Sequence, residues 1–479
     1  MSLNILKRLQ ISIPKCLDPI YANDTISREI IDNTYDKLFA FKGTSCVKVL
    51  VEQWEKKTDT LYWFKLKENI YFHDGTLCNS ISVKKSLTRM LNHSPKGNII
   101  FDGIFKKEKI ICLGKFEFVI ELEKPTSHFE NYLAIQEASI INPKIFSENE
   151  GQTLKCINGT GAFQLENINY EKREVSLRKF PKYWGENIFF DKILIKSESD
   201  YEKRKNLFLK EYDIMAVQAS ELPDIETYAN IRCDSFFALD LILFTLNIKN
   251  NELRKAIKYS FNYDFFLEKY RRHLGIRIGS AIPKGVMFYE QNTDLYPFNL
   301  TEAKNIISHL EKDNITLKIL TVKGMEDARK ACELLVDGLV QIGIGSSIEE
   351  YEFSTYCEMF DNGLYDIAFL SYAPDIINVD NFLRDFYSSK GEVAASINFY
   401  DTEIEKLLNI AKNETNYSIK AQIIRKIINQ AENSNPYVWL YQGKNLKIHK
   451  NNLTNITHNV LDGDYNFKSI YRRENMDEL

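Results

Sequence analysis

The sequence predicts a mixed α/β protein of two or three lobes, and three observations lead there. Its 479 residues exceed what one simple hydrophobic core serves, so the chain is expected to divide. Short alternating or wholly apolar runs of strand length recur between stretches with apolar residues at helix spacing, such as 27–39 and 326–342. The composition, 44% apolar, 27% charged and 13% aromatic, is that of ordered globular material.

The elements follow in chain order. Residues 10–14 alternate like a strand, Cys16-Leu-Asp-Pro19 breaks the pattern, and Ile30, Ile31, Tyr35, Leu38 and Phe39 form the apolar face of a helix over 27–39. Alternation over 47–54 and 60–66 predicts antiparallel strands. In the stretch 63–87, Asp74-Gly75 is a turn dipeptide and Asn79 or Ser80 a helix cap; Val83, Leu87, Met90 and Leu91 make that helix's packed face. His73 beside Asp74 has a catalytic reading, but a neighbouring His and Asp in a turn are more simply structural. Gly159-Thr-Gly161 reads as a glycine turn, where Gly159 and Gly161 allow angles that a side chain forbids. No Lys-Ser/Thr pair follows it, which argues against a phosphate loop.

In the second half, Gly343 stops the helix over 326–342. Residues 367–370 are a short apolar run of the kind a buried strand shows, followed directly by Ser371, Tyr372, Ala373, Pro374 and Asp375. A hydroxyl, an aromatic ring, a restricted backbone and a carboxylate at a strand end form a wall suited to a polar ligand. The same pattern also fits a surface turn in which Asp375 and Asn378 cap the next helix. Two further helices, over 402–413 and 418–432, precede a strand at 436–441.

Composition excludes several functions. A net charge of -4, with no basic tail or long Lys/Arg block, argues against a general binder of nucleic acid or anionic membrane. The eight cysteines are scattered without a CxxC pair or a Cys/His cluster, so free thiols are expected, with no metal site and no cofactor. GxSxG, HExxH, GxxxxGK[ST] and a complete GxGxxG are all missing, so an enzyme is not expected. Residues 236–246, the most apolar interior run, are interrupted by Asp240 and fall far short of the ~20 residues of a membrane span. Lys7 and Arg8 follow only two or three apolar residues, so the start reads as a strand and not as a secretion signal.

The stretch from Phe64 to Leu87 resembles the signature of the family 5 extracellular solute-binding proteins, the oligopeptide-, dipeptide- and nickel-binding components of ABC importers. Phe64, Leu66, Phe72, His73, Asp74, Gly75, Thr76, Val83, Ser86 and Leu87 stand at matching places; Asn69 replaces the usual glycine and Leu77 the usual proline. The resemblance continues through Gly159-Thr-Gly-Ala-Phe163, Pro181-Lys-Tyr-Trp-Gly185, Asp213-Ile-Met215 and Arg254-Lys-Ala-Ile-Lys-Tyr-Ser-Phe-Asn262. Ala256, Ile257, Ser260 and Phe261 are read as a packed face, and Arg254 as a structural ion-pair partner. Farther on, Ser371, Asp375, Asn381, Phe382 and Leu383 match the family's S-W-x-A-D-Y-P-D-P-x-x-[FL]-L, with Tyr372 in place of tryptophan.

The resemblance implies a two-lobed periplasmic-binding-protein-like α/β fold (type II, cluster C) with an extra sub-lobe at about 40–150 and a hinge. Lobe I would span 1–240, lobe II 241–438, and residues 439–479 would return to lobe I. It implies capture of a small solute, short peptides above all, between the lobes by hinge closure, with the solute passed to an ABC permease. Asp375 would receive the peptide's α-amino group, with Tyr372, Ser371 and Ala373 lining the pocket. Arg384 and Arg329 are weaker candidates for a carboxylate. A monomer outside the cytoplasmic membrane, in periplasm or at the cell surface, is expected; the missing signal keeps a non-exported ligand sensor in view. Nickel or metal-chelate binding is the other alternative within the family.

Overall fold

The computed structural model describes residues 3–473 apart from 96–99, 102, 127, 147–150, 155, 218–220, 272–273, 291–294, 311–314, 375, 415 and 458–464. The chain divides into two compact units, Met1–Phe236 with Leu446–Leu479 and Phe237–Asn445. It passes from one to the other after Phe236 and again after Asn445.

The sheet of the first unit is built on Ile5–Gln10, which pairs in parallel with Lys192–Ser197 on one side and Ile214–Met215 on the other. Glu174–Lys179 and Phe163–Asn169 extend it as an antiparallel pair. In Lys192–Ser197 the side chains of Ile193, Ile195 and Ser197 are buried while their neighbours are half-exposed, the alternation that a one-sided core imposes. The core collects Leu6, Ile30, Phe163, Leu177, Phe190 and Ile193.

The helix expected over 27–39 is Thr25–Thr34. Asp24 caps its start, accepting from Ser27 N at 2.9 Å. Its end comes early because Thr34 turns its hydroxyl back to Ile30 O at 2.9 Å and Tyr35 adopts an extended backbone. Phe39 then belongs to the strand Phe39–Lys42. Gly159 and Gly161 pack against this helix end: a Cβ on Gly159 would meet Thr34 O at 2.3 Å, and one on Gly161 would meet Thr34 C at 2.5 Å. Neither has a positive φ, so close approach and not unusual angles is what demands glycine there.

A separate four-stranded antiparallel sheet lies within the expected sub-lobe, in the order Val51–Lys56, Leu61–Leu66, Glu117–Glu121, Ile110–Cys112. Phe64 stacks on Phe118 across it, ring centroids 5.0 Å apart. Asn79 caps the helix Ser80–His93, which buries Val83, Leu87 and Met90. From the same helix Arg89 reaches Asp18 with two bonds, 3.0 and 2.7 Å, both side chains fully buried. Asn69, in the place of the family's glycine, takes a left-handed φ of 61°.

In the second unit, Thr316–Val322, the helix Glu326–Gln341 and Gly345–Tyr351 form a parallel β-α-β unit. Ile367–Tyr372 adds in parallel to Thr316–Val322, and Leu241–Leu246 of the strand Ile231–Leu246 runs antiparallel to it. The helix Asn251–Ser260 buries Ala256, Ile257 and Ser260, with Phe261 following, as its pattern predicts. Arg254 differs from expectation. It donates to Ser434 O at 2.8 Å, to Lys249 O at 3.1 Å and to Ile248 O, and among the described residues it pairs with no carboxylate. A guanidinium fork fits converging carbonyls as well as it fits an acid; Ile248 and Lys249 precede this helix, and Ser434 stands at the end of the helix Tyr417–Asn433.

All eight cysteines are free thiols; Cys78 and Cys332 are buried, Cys156 is exposed and the rest are half-buried. No helix of the described residues is long and apolar enough to cross a membrane.

Candidate functional site

The strand Ile367–Tyr372 delivers the predicted site residues to its end. Ile367, Ala368 and Phe369 are buried, whereas Ser371 and Ala373 are exposed. Ser371 stands opposite Ile242 and Tyr372 opposite Leu241 in the antiparallel pair. Asp375 lies outside the described residues. Beyond it Asn378 caps the helix Val379–Tyr387, its side chain accepting from Asp380 N at 2.9 Å.

Tyr372 is buried, with its ring edge-on to Phe386 at 4.8 Å and to Phe382 at 6.1 Å. Its hydroxyl donates to Asp385 Oδ2 at 2.6 Å, and Arg384 Nε donates to Asp385 Oδ1 at 2.9 Å. The structure thus ties Tyr372 to the helix that follows the site loop. Arg329 is spent on Glu333 four residues on, at 3.0 Å on the surface.

Behind this strand end sits an aromatic layer that sequence reasoning did not assemble. Phe386 meets Trp439 at 5.0 Å and Tyr437 at 5.4 Å. Glu432 collects the polar edges: it accepts from Trp439 Nε1 at 2.9 Å, Tyr387 Oη at 2.9 Å and Lys258 Nζ at 3.1 Å. Burial pushes the Lys258 ammonium down and pushes the Tyr387 and Tyr437 phenols well up. Such a fully bonded network fixes side-chain positions. Asp385 was detectable in principle, as a carboxylate among Phe382, Leu383 and Phe386 on an otherwise apolar helix face.

The sharper reading of His73 and Asp74 does not fit what they touch. His73 Nε2 lies 3.1 Å from Gly161 O, and the ring packs edge-on to Phe180 at 5.0 Å. Burial lowers its imidazole to about 4, so the ring is neutral at ordinary pH. Asp74 accepts from Thr76 N at 2.9 Å and from Asn142 Nδ2 at 3.0 Å, closing the turn. Asp74 is occupied in holding the turn, while His73 is bonded through Nε2 and its buried Nδ1 has no partner among the described residues.

In the first unit a pocket of about 480 Å³ opens beside Arg232, Cys233, Asp234, His449 and Asn455. His449 Nε2 faces Asp234 Oδ2 at 3.1 Å and Nδ1 faces Lys450 O at 2.8 Å. Burial raises the Cys233 thiol to about 11, which makes it a poor nucleophile. Among the described residues no three His, Cys, Asp or Glu side chains gather as a metal site.

The sequence profile of the bacterial extracellular solute-binding proteins, family 5 (middle region), matches residues 46–393. The chain belongs to that family. The probable D,D-dipeptide-binding periplasmic protein DdpA of Escherichia coli is 24% identical over 460 residues, covering 91% of this chain and 88% of that one. Among solved structures, the periplasmic binding protein DppA from Helicobacter pylori in complex with peptide STSA superposes with a TM-score of 0.81, at 21% identity, over 98% of both chains. NikA from Brucella suis in complex with Fe(III)-EDTA superposes with a TM-score of 0.87, at 16% identity, over 98% of this chain and 100% of that one. The family 5 fold expected from the sequence is therefore present, as a mixed α/β, multi-sheet protein.

Proposed function

We propose that this family 5 protein is the solute-binding component of an ABC importer and that its solute is a short peptide. Membership in the family over residues 46–393 carries the reading, and a relative matched along nearly the whole chain is named for a D,D-dipeptide. The local geometry agrees with it. A strand end with Ser371 and Ala373 exposed, backed by the bonded layer of Tyr372, Asp385, Phe386 and Glu432, is a firm edge on which an extended peptide can lie.

Main-chain hydrogen bonds to such an edge give affinity that does not depend on peptide sequence. Asp375, at the place where the family signature carries its aspartate, receives the α-amino group. Ligand contacts that strengthen on closure favour the closed state, the state a permease recognises. No bond is broken, and the protein works outside the cytoplasmic membrane with a permease as its partner.

Native mass spectrometry of the purified protein, followed by denaturation and identification of the released molecules, tests the reading. A mixture of short peptides is the expected result. A metal chelate released in their place overturns it.

A further inference from the structure

At the edge of the small four-stranded sheet, three aliphatic side chains stand in water. Ile110 points inward and is fully buried, so Ile111 beside it points outward, 47% exposed, with Leu113 two positions on at 57%. Ser80 ties the start of the helix Ser80–His93 to the turn that follows this strand. Its Oγ donates to Gly114 O at 2.6 Å and its N to Lys115 O at 2.9 Å. Ile81, the next residue, is thereby set against the turn with 55% of its surface exposed.

Four lysines accompany them. Lys84 and Lys85 follow Ile81 by three and four positions, hence on the same side of the helix. Lys107 stands before the edge strand and Lys115 in the turn. Among the described residues none of the four pairs with a carboxylate, whereas Lys106 and Lys109 are held by Glu123 and Glu121, each at 2.7 Å. Within 80–93 and 106–117 the acids without an ion pair are Glu108 and Glu117, so the patch is net positive. The whole chain carries -4, but at physiological salt charges farther off than about 8 Å are largely screened, and an approaching surface meets the local surplus.

An unpaired lysine by itself says little, and so does one exposed leucine. Together on one tied turn they are the composition of an interfacial anchor, in which lysine heads reach lipid phosphates while their stems and the aliphatic side chains enter the boundary layer. Protein interfaces are, by contrast, depleted of lysine.

We propose that this turn and helix start rest on an anionic bilayer, with Ile81, Ile111 and Leu113 entering the boundary between headgroups and acyl chains and Lys84, Lys85, Lys107 and Lys115 meeting lipid phosphates. The contact goes beyond solute capture and does not depend on which solute is bound. It keeps the protein at the membrane surface.

Co-sedimentation with vesicles tests it, using equal parts phosphatidylcholine and phosphatidylglycerol against phosphatidylcholine alone. The wild type is compared with Lys84→Gln/Lys85→Gln/Lys107→Gln/Lys115→Gln and with a control of the same charge change at exposed lysines of the other unit, Lys249→Gln/Lys304→Gln/Lys406→Gln/Lys426→Gln. All eight side chains are exposed or half-exposed, so both variants are expected to melt with the wild type. The wild type is expected to partition at least tenfold more into the anionic vesicles, the patch variant to lose that preference, and the control to keep it within twofold. Ile111→Ser/Leu113→Ser, which leaves the charge unchanged, is expected to lower partitioning at least threefold. Equal partitioning of wild type and patch variant, or an equal loss in both lysine variants, overturns the proposal. Binding to the source cell's own membranes that protease treatment abolishes, with none to pure lipid, overturns it in favour of a protein partner.

Discussion

The hydroxyl of Tyr372 donates to Asp385 Oδ2 at 2.6 Å, so the aromatic residue at the end of the site strand is anchored from the helix that follows the loop. Its ring lies against Phe386 while its polar atom is turned to the carboxylate. Replacing Tyr372 with Phe keeps the ring and leaves the carboxylate one donor short. A buried acceptor that loses its partner costs about 1–3 kcal/mol. Urea unfolding of Tyr372→Phe is expected to show that loss, with tri-alanine affinity within about twofold of wild type, because the hydroxyl faces Asp385. A tenfold loss of affinity at unchanged stability would place the hydroxyl on the ligand.

The neutral His73 gives the protein an acid limit. Its imidazole titrates near 6.5 in an unfolded chain and is lowered to about 4 by burial in the folded one. The folded state therefore binds fewer protons in between. The contribution is complete above about 6.5 and is lost as pH falls towards 4, a decline of roughly 3 kcal/mol. In His73→Gln this part disappears, so the difference in unfolding free energy between wild type and variant should shrink as pH falls from 7 to 4.5. Parallel stability curves would mean that the ring is not buried as described.

Gly338 sits inside the helix Glu326–Gln341, where alanine is ordinarily better by about 1 kcal/mol. Here a Cβ would lie 2.2 Å from Ser260 O, a backbone atom of the packed neighbouring helix. The clash outweighs the propensity, and Gly338→Ala is expected to destabilise by about 1–3 kcal/mol. Thermal melting checks it; a stabilised variant would show that the two helices do not meet at this point.

How far these features were legible depends on how local their causes are. Asn79 and Asn378 announced helix starts because a cap depends on a few neighbouring residues, and both do cap. The strand at 367 followed from a short apolar run, and the packed face of Ala256 and Ile257 from the resemblance around Arg254. The helix ending at Thr34 was over-extended, because Leu38 and Phe39 continue the apolar spacing after the backbone has turned. Gly159 looked like a turn residue but is needed for contact with a helix end more than a hundred positions earlier. For the same reason Glu432, which gathers Lys258, Tyr387 and Trp439, had no local sign. In the candidate site, Ser371 and Ala373 were legible as the exposed end of a buried strand.

The central claim is that the site binds a peptide through its free amino end. The most direct measurement is calorimetric titration of tri-alanine and N-acetyl tri-alanine into the wild-type protein and Asp375→Asn. Removing one partner of a buried charge pair costs about 3–5 kcal/mol, or roughly two to four factors of ten in affinity. The account predicts that acetylation weakens binding to the wild type by that much, and that Asp375→Asn binds the free peptide as weakly. Equal affinity of both peptides for both proteins would contradict it.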